Sequence, residues 1–289
     1  MTLEGPEAPP DPGLPDKLDG ALVLVRHGES VWIVEGRFQG RGDPVLSERG
    51  ERQASLVARR LRDPASGPPL PVPPELPVAI WHSPLSRARQ TAEAIAEEQV
   101  RDVPLERADA FTEIDQGEWQ GLPLREVAAR YPEILNGWRR EPTRHHAPGG
   151  ESLHEAGARV RAGLPQLLDR LAVSRSATPA GPHSPIVVDP RRTHLPESPP
   201  VLAGGSPRPR PWAVLVAHDG IFRLVLMTLL GIPYARFWSF PFALCAITVI
   251  DVSGGRATLR AHNLADHLAP LLADPAGAAE ARGDRKGAL

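Results

Sequence analysis

Ala21-Leu22-Val23-Leu24-Val25-Arg26-His27-Gly28-Glu29-Ser30 is a run of five apolar residues that passes without a break into a cation, an imidazole and a glycine. A continuous rather than alternating run reads as a strand covered on both faces, as in a parallel or mixed sheet. Two more such runs follow the same plan. Val78 to Trp81 leads into His82-Ser83-Pro84-Leu85-Ser86-Arg87, and Trp212 to Ala217 leads into His218-Asp219-Gly220.

Helical patterns separate these strands. Ser47 opens one in which Ala54, Val57, Ala58 and Leu61 share a face with arginines opposite. Ser86 to Glu98 gives a second and Leu124 to Tyr131 a short third, ended before Pro132. Leu153, Val160, Leu164, Leu167, Leu168 and Leu171 mark a long one that Pro165 should kink or weaken. Ile221 to Leu230 reads as a buried helix. Ala243 to Val252 and Arg256 to Ala261 flank Ser253-Gly254-Gly255 as a terminal hairpin. The alternation predicts a three-layer α/β/α sandwich with a mostly parallel sheet. Residues 1–19 are expected to be a disordered tail, 20–269 the domain, about 173–211 a Pro-rich insertion, and 270–289 a flexible tail.

Composition narrows the function classes. The chain has 289 residues, 41% hydrophobic and 24% charged, enough for one large α/β domain. A net charge of −2 gives no reason to expect nucleic acid or an anionic membrane as partner. Cys245 is the single cysteine, so no internal disulfide or cysteine metal cage is available, and a reducing, cytoplasmic compartment is expected. The start lacks a basic, apolar signal pattern, and the most apolar run, Ile221 to Ile232, is short and interrupted by Arg223. Proline is abundant at 34 residues, whereas Lys17 and Lys286 are the only lysines. Arginine therefore carries nearly all the positive charge, which base composition of the genome explains without any function.

Sites in open α/β sheets form beyond the carboxyl ends of strands. Here three strand ends deliver Arg26, His27, Arg87 and His218 to one rim. A lone histidine or arginine there would be unremarked; four together suit phosphoryl transfer. A phosphomonoester carries about two negative charges near pH 7, and arginine matches its oxygens with a two-pronged fork. A neutral imidazole is a competent nucleophile near working pH. Gly28 would let the backbone approach the ligand.

These residues also resemble the signature of the histidine phosphatase, or phosphoglycerate-mutase-like, superfamily. The resemblance continues through Arg37-Phe38-Gln39-Gly40, Asp43, Leu46-Ser47, Gly50 and Gln53-Ala54. It resumes at Ser83-Pro84-Leu85, Arg87 and Gln90-Thr91-Ala92, then at Glu113, Gly117, Trp119 and Gly121, at Pro148-Gly149-Gly150-Glu151-Ser152, and at His218. It implies that His27 becomes phosphorylated, that Arg26, Arg87 and His218 grip the phosphate, and that Glu113 protonates the leaving oxygen. Ser30, Gln39, Gly40 and Asp219 join the expected substrate-binding set. The substrate is expected to be a small phosphorylated metabolite, with no cofactor and no metal; a homodimer is an open possibility.

Two positions depart from the pattern. Ile33 stands where the family usually has Asn, so Ser30 or the Gln39-Gly40 backbone would have to compensate. Asp219 follows His218, where another branch places its proton donor; Asp115 and Glu118 compete with Glu113 within its own loop. Arg139-Arg140 resembles a mutase arginine pair, but only ten residues separate it from Glu151-Ser152-Leu153, and Glu113-Ile114-Asp115-Gln116-Gly117-Glu118-Trp119 looks more like the phosphatase branch. Mutase and non-catalytic phospho-ligand binding remain the alternatives. His145, His146 and His154 read as loop histidines. Trp32, Phe38 and Trp119 read either as pocket lining or as packing anchors, and Trp238, Phe240 and Phe242 as core or an oligomer contact.

Overall fold

The computed structural model describes residues 9–174 and 210–272. In chain order it contains β1 (Asp19–Arg26), α1 (Val31–Val34), α2 (Glu48–Arg62), β2 (Ile80–His82), α3 (Ser86–Glu97) and β3 (Leu105–Arg107). Then come α4 (Leu124–Arg130), α5 (Pro132–Arg140), α6 (Leu153–Ser174), β4 (Trp212–Ala217), α7 (Asp219–Leu230), β5 (Ile247–Ser253), β6 (Arg256–Leu264) and α8 (Ala269–Leu272). The six strands form one sheet in the order β3-β2-β4-β1-β5-β6. β1, β4, β2 and β3 run parallel; β5 pairs antiparallel with β1, and β6 antiparallel with β5. The sheet is mixed and mostly parallel, as expected.

The apolar run of β1 is continuous because it feeds two cores. Leu22 and Leu24 pack into one cluster with α6 and α7, while Ala21, Val23 and Val25 pack into the other with α2 and α3. β4 divides its side chains the same way. Three layers result. α2 is held at its start by Ser47, whose Oγ accepts the Gly50 amide, and carries Glu48 and Glu51 in its first turn and Arg59, Arg60 and Arg62 in its last, which suits the helix dipole. Arg60 is buried, an exception to the expected arginine face. α7 is buried almost all round, so its apolar sequence needs neighbours on every side.

Several expectations shift. Leu18 is buried and its carbonyl accepts the Gly254 amide, so packed structure begins ahead of Gly20. Pro165 sits inside a continuous α6; its missing N–H costs one intrahelical bond without ending the helix. Of the expected insertion, 175–209 lie outside the described residues, as do 1–8 and 273–289. Its returning end is anchored: Arg210 donates to Asp19 at 2.8 Å, and the Pro211 carbonyl accepts the Ala21 amide. Among the described residues no helix is long and apolar enough to cross a membrane.

Candidate active site

Strand register brings the site together. Arg26 lies beside Ala217 on β4, so the next residues, His27 and His218, emerge side by side. His82 pairs with Val216, and the Ser83 amide bonds the Val216 carbonyl, which sets Ser83 next to His218. The two imidazole centroids are 5.1 Å apart. Arg87 comes from the first turn of α3, reached through the Pro84-Leu85 turn. All of these side chains are buried.

His27 has a defined tautomer. Its Nδ1 lies 2.6 Å from the Gly28 carbonyl, which can only accept, so Nδ1 carries the proton. Nε2 is left with its lone pair, and Arg87 Nε donates to it at 3.2 Å. Burial, then the neighbouring Arg87 and Arg26 cations, hold the His27 pKa well below the usual imidazole value. The ring is a neutral base with Nε2 as its free nitrogen.

Arg87 is fixed in three directions. Besides His27, it donates to the Gly42 carbonyl at 2.7 Å and the Gly40 carbonyl at 2.8 Å. Burial lowers its pKa to about 10, which leaves it a cation at neutral pH. Arg26 donates through Nη1 to the Phe242 carbonyl at 2.6 Å, and its own carbonyl accepts the Cys245 amide. Two buried nitrogens of the cluster, Arg26 Nε and His218 Nδ1, have no hydrogen-bond partner among the described residues. Buried polar atoms are rarely left so, and a ligand with acceptor oxygens is one way to complete them.

Glu113 lies at the amino end of α7. Its Oε1 accepts the Ile114 amide at 2.9 Å and the Ile221 amide at 3.2 Å; Oε2 accepts the Gly220 amide at 3.3 Å. Burial raises its pKa, opposed by the Ile114 amide and by Arg87. The rival carboxylates are placed differently. Asp115 accepts the Gly117 amide and faces Arg41, and Glu118 is exposed and bonded to the Tyr131 hydroxyl. Asp219 forms a two-pronged pair with Arg223, at 3.0 and 2.9 Å, while Arg223 also lies over the rings of Phe237 and Trp238. Glu113 is the one of the four that is buried and has no ion-pair partner among the described residues.

Other expected residues take supporting positions. Ser30 Oγ caps α1 by accepting the Ile33 amide and donates to Gln39 Oε1. Gly40 turns its carbonyl, an acceptor, toward Arg87. A Cβ on Gly28 would meet the Gly50 carbonyl at 2.6 Å, so a glycine here also admits the first turn of α2. Trp119 and Phe38 are buried against each other as packing anchors, whereas Trp32 is half-buried over Gly42 and Gly121. Phe242 is core; Trp238 and Phe240 are packed partly buried against it. His145 lies on Gly137 and His154 on the Tyr234 ring. Arg139 and Arg140 are exposed in the last turn of α5.

Gln120 was not singled out by sequence, yet it aims Arg87. Its Oε1 accepts the amides of Arg41 and, at 3.2 Å, Gly42. In a trans peptide the N–H and C=O point opposite ways. Holding the Arg41 N–H therefore turns the Gly40 carbonyl of the same peptide toward Arg87. Gln120→Ala should lower kcat about tenfold, the scale of one lost hydrogen bond in a buried network, and Gln120→Glu, which keeps the acceptor, should restore most of it. Steady-state kinetics of the two variants decide this; equal losses in both would sink it.

The order of these residues along the chain matches a family model, "Histidine phosphatase superfamily (branch 1)", over residues 22–175 and 204–265. The chain belongs to branch 1 of the histidine phosphatase superfamily. Phosphoserine phosphatase 1 of Hydrogenobacter thermophilus is 32% identical over 247 residues, 86% of this chain and 93% of that protein. A 2,3-bisphosphoglycerate-dependent phosphoglycerate mutase of Methylobacterium radiotolerans is 37% identical, but over 145 residues: half of this chain and 64% of that relative. Among solved structures, a mycobacterial glucosyl-3-phosphoglycerate phosphatase aligns with a TM-score of 0.63 and 25% identity, covering 86% of this chain and all of that one. A Bacillus stearothermophilus protein at 22% identity and TM-score 0.65 shares the fold.

Proposed function

We propose that this histidine phosphatase is a metal-independent phosphomonoesterase that hydrolyses a small phosphorylated metabolite through a phosphohistidine on His27. The observation that carries this reading is one imidazole lone pair, on His27 Nε2, set among two buried guanidiniums and two buried nitrogens that have no hydrogen-bond partner among the described residues. A phosphate dianion supplies the acceptor oxygens that Arg26 Nε lacks, and the guanidiniums offset its charge.

In the first step His27 Nε2 bonds to phosphorus as the phosphorus–oxygen ester bond breaks. Glu113 gives its proton to the departing oxygen. Arg87 Nε, which loses its acceptor when Nε2 is phosphorylated, turns to a phosphoryl oxygen. In the second step water attacks phosphorus, its proton passes to Glu113, and the nitrogen–phosphorus bond breaks to restore the neutral imidazole. The near-full-length likeness to a phosphoserine phosphatase supports water as acceptor; the mutase likeness spans half the chain. The pairing of Asp219 with Arg223 favours Glu113 as the acid.

The test is release of inorganic phosphate from a panel of phosphomonoesters in the presence of a chelator, beside 3-phosphoglycerate primed with bisphosphoglycerate. Phosphate release that survives chelation is expected. Accumulation of 2-phosphoglycerate without phosphate would establish the mutase reading, and no turnover of any substrate would leave a phospho-ligand-binding protein.

A further inference from the structure

The phosphate grip assigned to His218 requires a hydrogen on one particular nitrogen, and nothing on its own strand determines which. Its Nε2 lies 2.7 Å from Ser83 Oγ, while Nδ1 is buried without a partner among the described residues. We propose that Ser83 is a positioning residue whose hydroxyl donates a hydrogen bond to the His218 Nε2 lone pair, and so holds His218 in the Nδ1–H tautomer, with a donor ready for a phosphoryl oxygen. The proposal rests on the phosphatase reading for its purpose but not for its chemistry.

The argument is a count of donors and acceptors. Ser83 is fully buried. Its Oγ already accepts the Leu85 amide at 3.4 Å, and among the described residues the hydroxyl's one other hydrogen-bond partner is His218 Nε2. A hydroxyl has one proton to give and two lone pairs to receive. If Nε2 carried the hydrogen, Ser83 Oγ would accept twice and its own proton would face no acceptor. His218 Nδ1 would then be a bare lone pair aimed at an anionic ligand. If Ser83 donates to Nε2, its proton and the Nε2 lone pair are both satisfied, and a buried N–H is left for the ligand. Burial, reinforced by Arg87, His27 and Arg26, keeps the ring neutral, so the choice between two tautomers is real.

The arrangement mirrors His27. There a carbonyl fixes the hydrogen on Nδ1 and frees Nε2 as nucleophile. Here a hydroxyl donates a hydrogen bond to the Nε2 lone pair and leaves Nδ1–H as the donor. Two neighbouring histidines with the same elementary chemistry are given opposite tasks by the group behind each ring. Ser83 follows β2 directly, and the bond from its amide to the Val216 carbonyl sets the distance. The sequence pair is 135 residues apart.

The experiment reads the tautomer itself. Full-length protein labelled with ¹⁵N in histidine is examined by long-range ¹H–¹⁵N correlation, with His218→Gln used for assignment. Wild type should show neutral His218 protonated on Nδ1; an Nε2–H tautomer or an imidazolium would overturn the proposal. Ser83→Ala should mix or invert the tautomers, weaken inhibition by inorganic phosphate about tenfold, and lower kcat similarly, with Ser83→Thr restoring both. A melting temperature and amide spectrum like wild type show that the fold persists. If Ser83→Ala only loses stability while His218 stays Nδ1–H, the residue is structural and the proposal fails. If the tautomer behaves as expected but inorganic phosphate does not bind wild type, the phosphatase reading fails instead.

Discussion

His27→Ala is expected to abolish turnover of every phosphomonoester, by on the order of 10⁴-fold or more, and to remove the phosphoenzyme entirely. The scale follows from the absence of a substitute. His27 Nε2 is the lone pair that Arg87 Nε faces, and its partner atom Nδ1 is tied to the Gly28 carbonyl. The neighbouring ring, His218, has its Nε2 on Ser83. With Nδ1 protonated it offers the phosphate a hydrogen rather than electrons. A nucleophile removed from this site therefore leaves binding and charge stabilisation with no bond-forming atom, and those alone give a small residue of the rate. The measurement is a rapid quench into alkali after mixing with ³²P-labelled substrate, since phosphohistidine survives base and is destroyed by acid. Wild type should retain label and the variant none. Label retained in His27→Ala, whether on His218 or elsewhere, would move the covalent step off His27. Inorganic phosphate should still bind the variant, because Arg26, Arg87 and His218 remain.

Much of this geometry could be read from the chain, and the parts that could not share a cause. The run Ala21–Val25 signalled a strand covered on both faces because five apolar side chains must alternate between two cores. Ser47 signalled a helix start through its cap, and Gly254-Gly255 a hairpin, since both take the positive φ that a tight turn needs. Pro132 was only half read. Tyr131 before it is non-helical and ends α4, but Pro132 then occupies the first turn of α5, where a missing N–H costs nothing. β3 escaped notice because three residues, Leu-Glu-Arg, on an exposed sheet edge carry no pattern. In the site, strand ends announced Arg26, His27, Arg87 and His218. What they bond to was invisible: the carbonyls of Gly40, Gly42 and Phe242 are backbone atoms present in every residue, and no side-chain pattern marks them. Gln120 and Ser83 act through such second contacts. Gly28 shows the converse, a glycine legible in the sequence whose close approach to Gly50 was not.

Glu113→Gln should cost little with a good leaving group and much with a poor one. A p-nitrophenolate departs without help, so the loss there should stay within about tenfold, while an alkyl phosphate should lose about 10²–10⁴, the span of general acid catalysis. The substitution is nearly isosteric but not silent. Both oxygens of Glu113 accept backbone amides, from Ile114, Ile221 and Gly220. A glutamine must place its NH₂ against one of those N–H groups, and turning the longer 3.3 Å contact with Gly220 toward it is the cheaper choice. The expected stability loss is about 1–3 kcal/mol, the cost of leaving a buried donor unsatisfied. That loss acts on both substrates alike, so the ratio of kcat/KM values for the two isolates the proton. The ratio also cancels the titration that both substrates share. Burial raises the Glu113 pKa, which keeps the carboxyl protonated to a higher pH than an exposed glutamate. The acid form is the active one in the first step. In wild type, kcat/KM for the alkyl ester relative to the aryl ester should therefore fall as pH rises through the Glu113 pKa, above the ordinary carboxylate range. In Glu113→Gln the relative value should be low and flat. A variant that keeps the wild-type pH limb would show that another carboxyl supplies the proton. Asp219 would be the first to examine, and it would have to break its two bonds to Arg223 to do so.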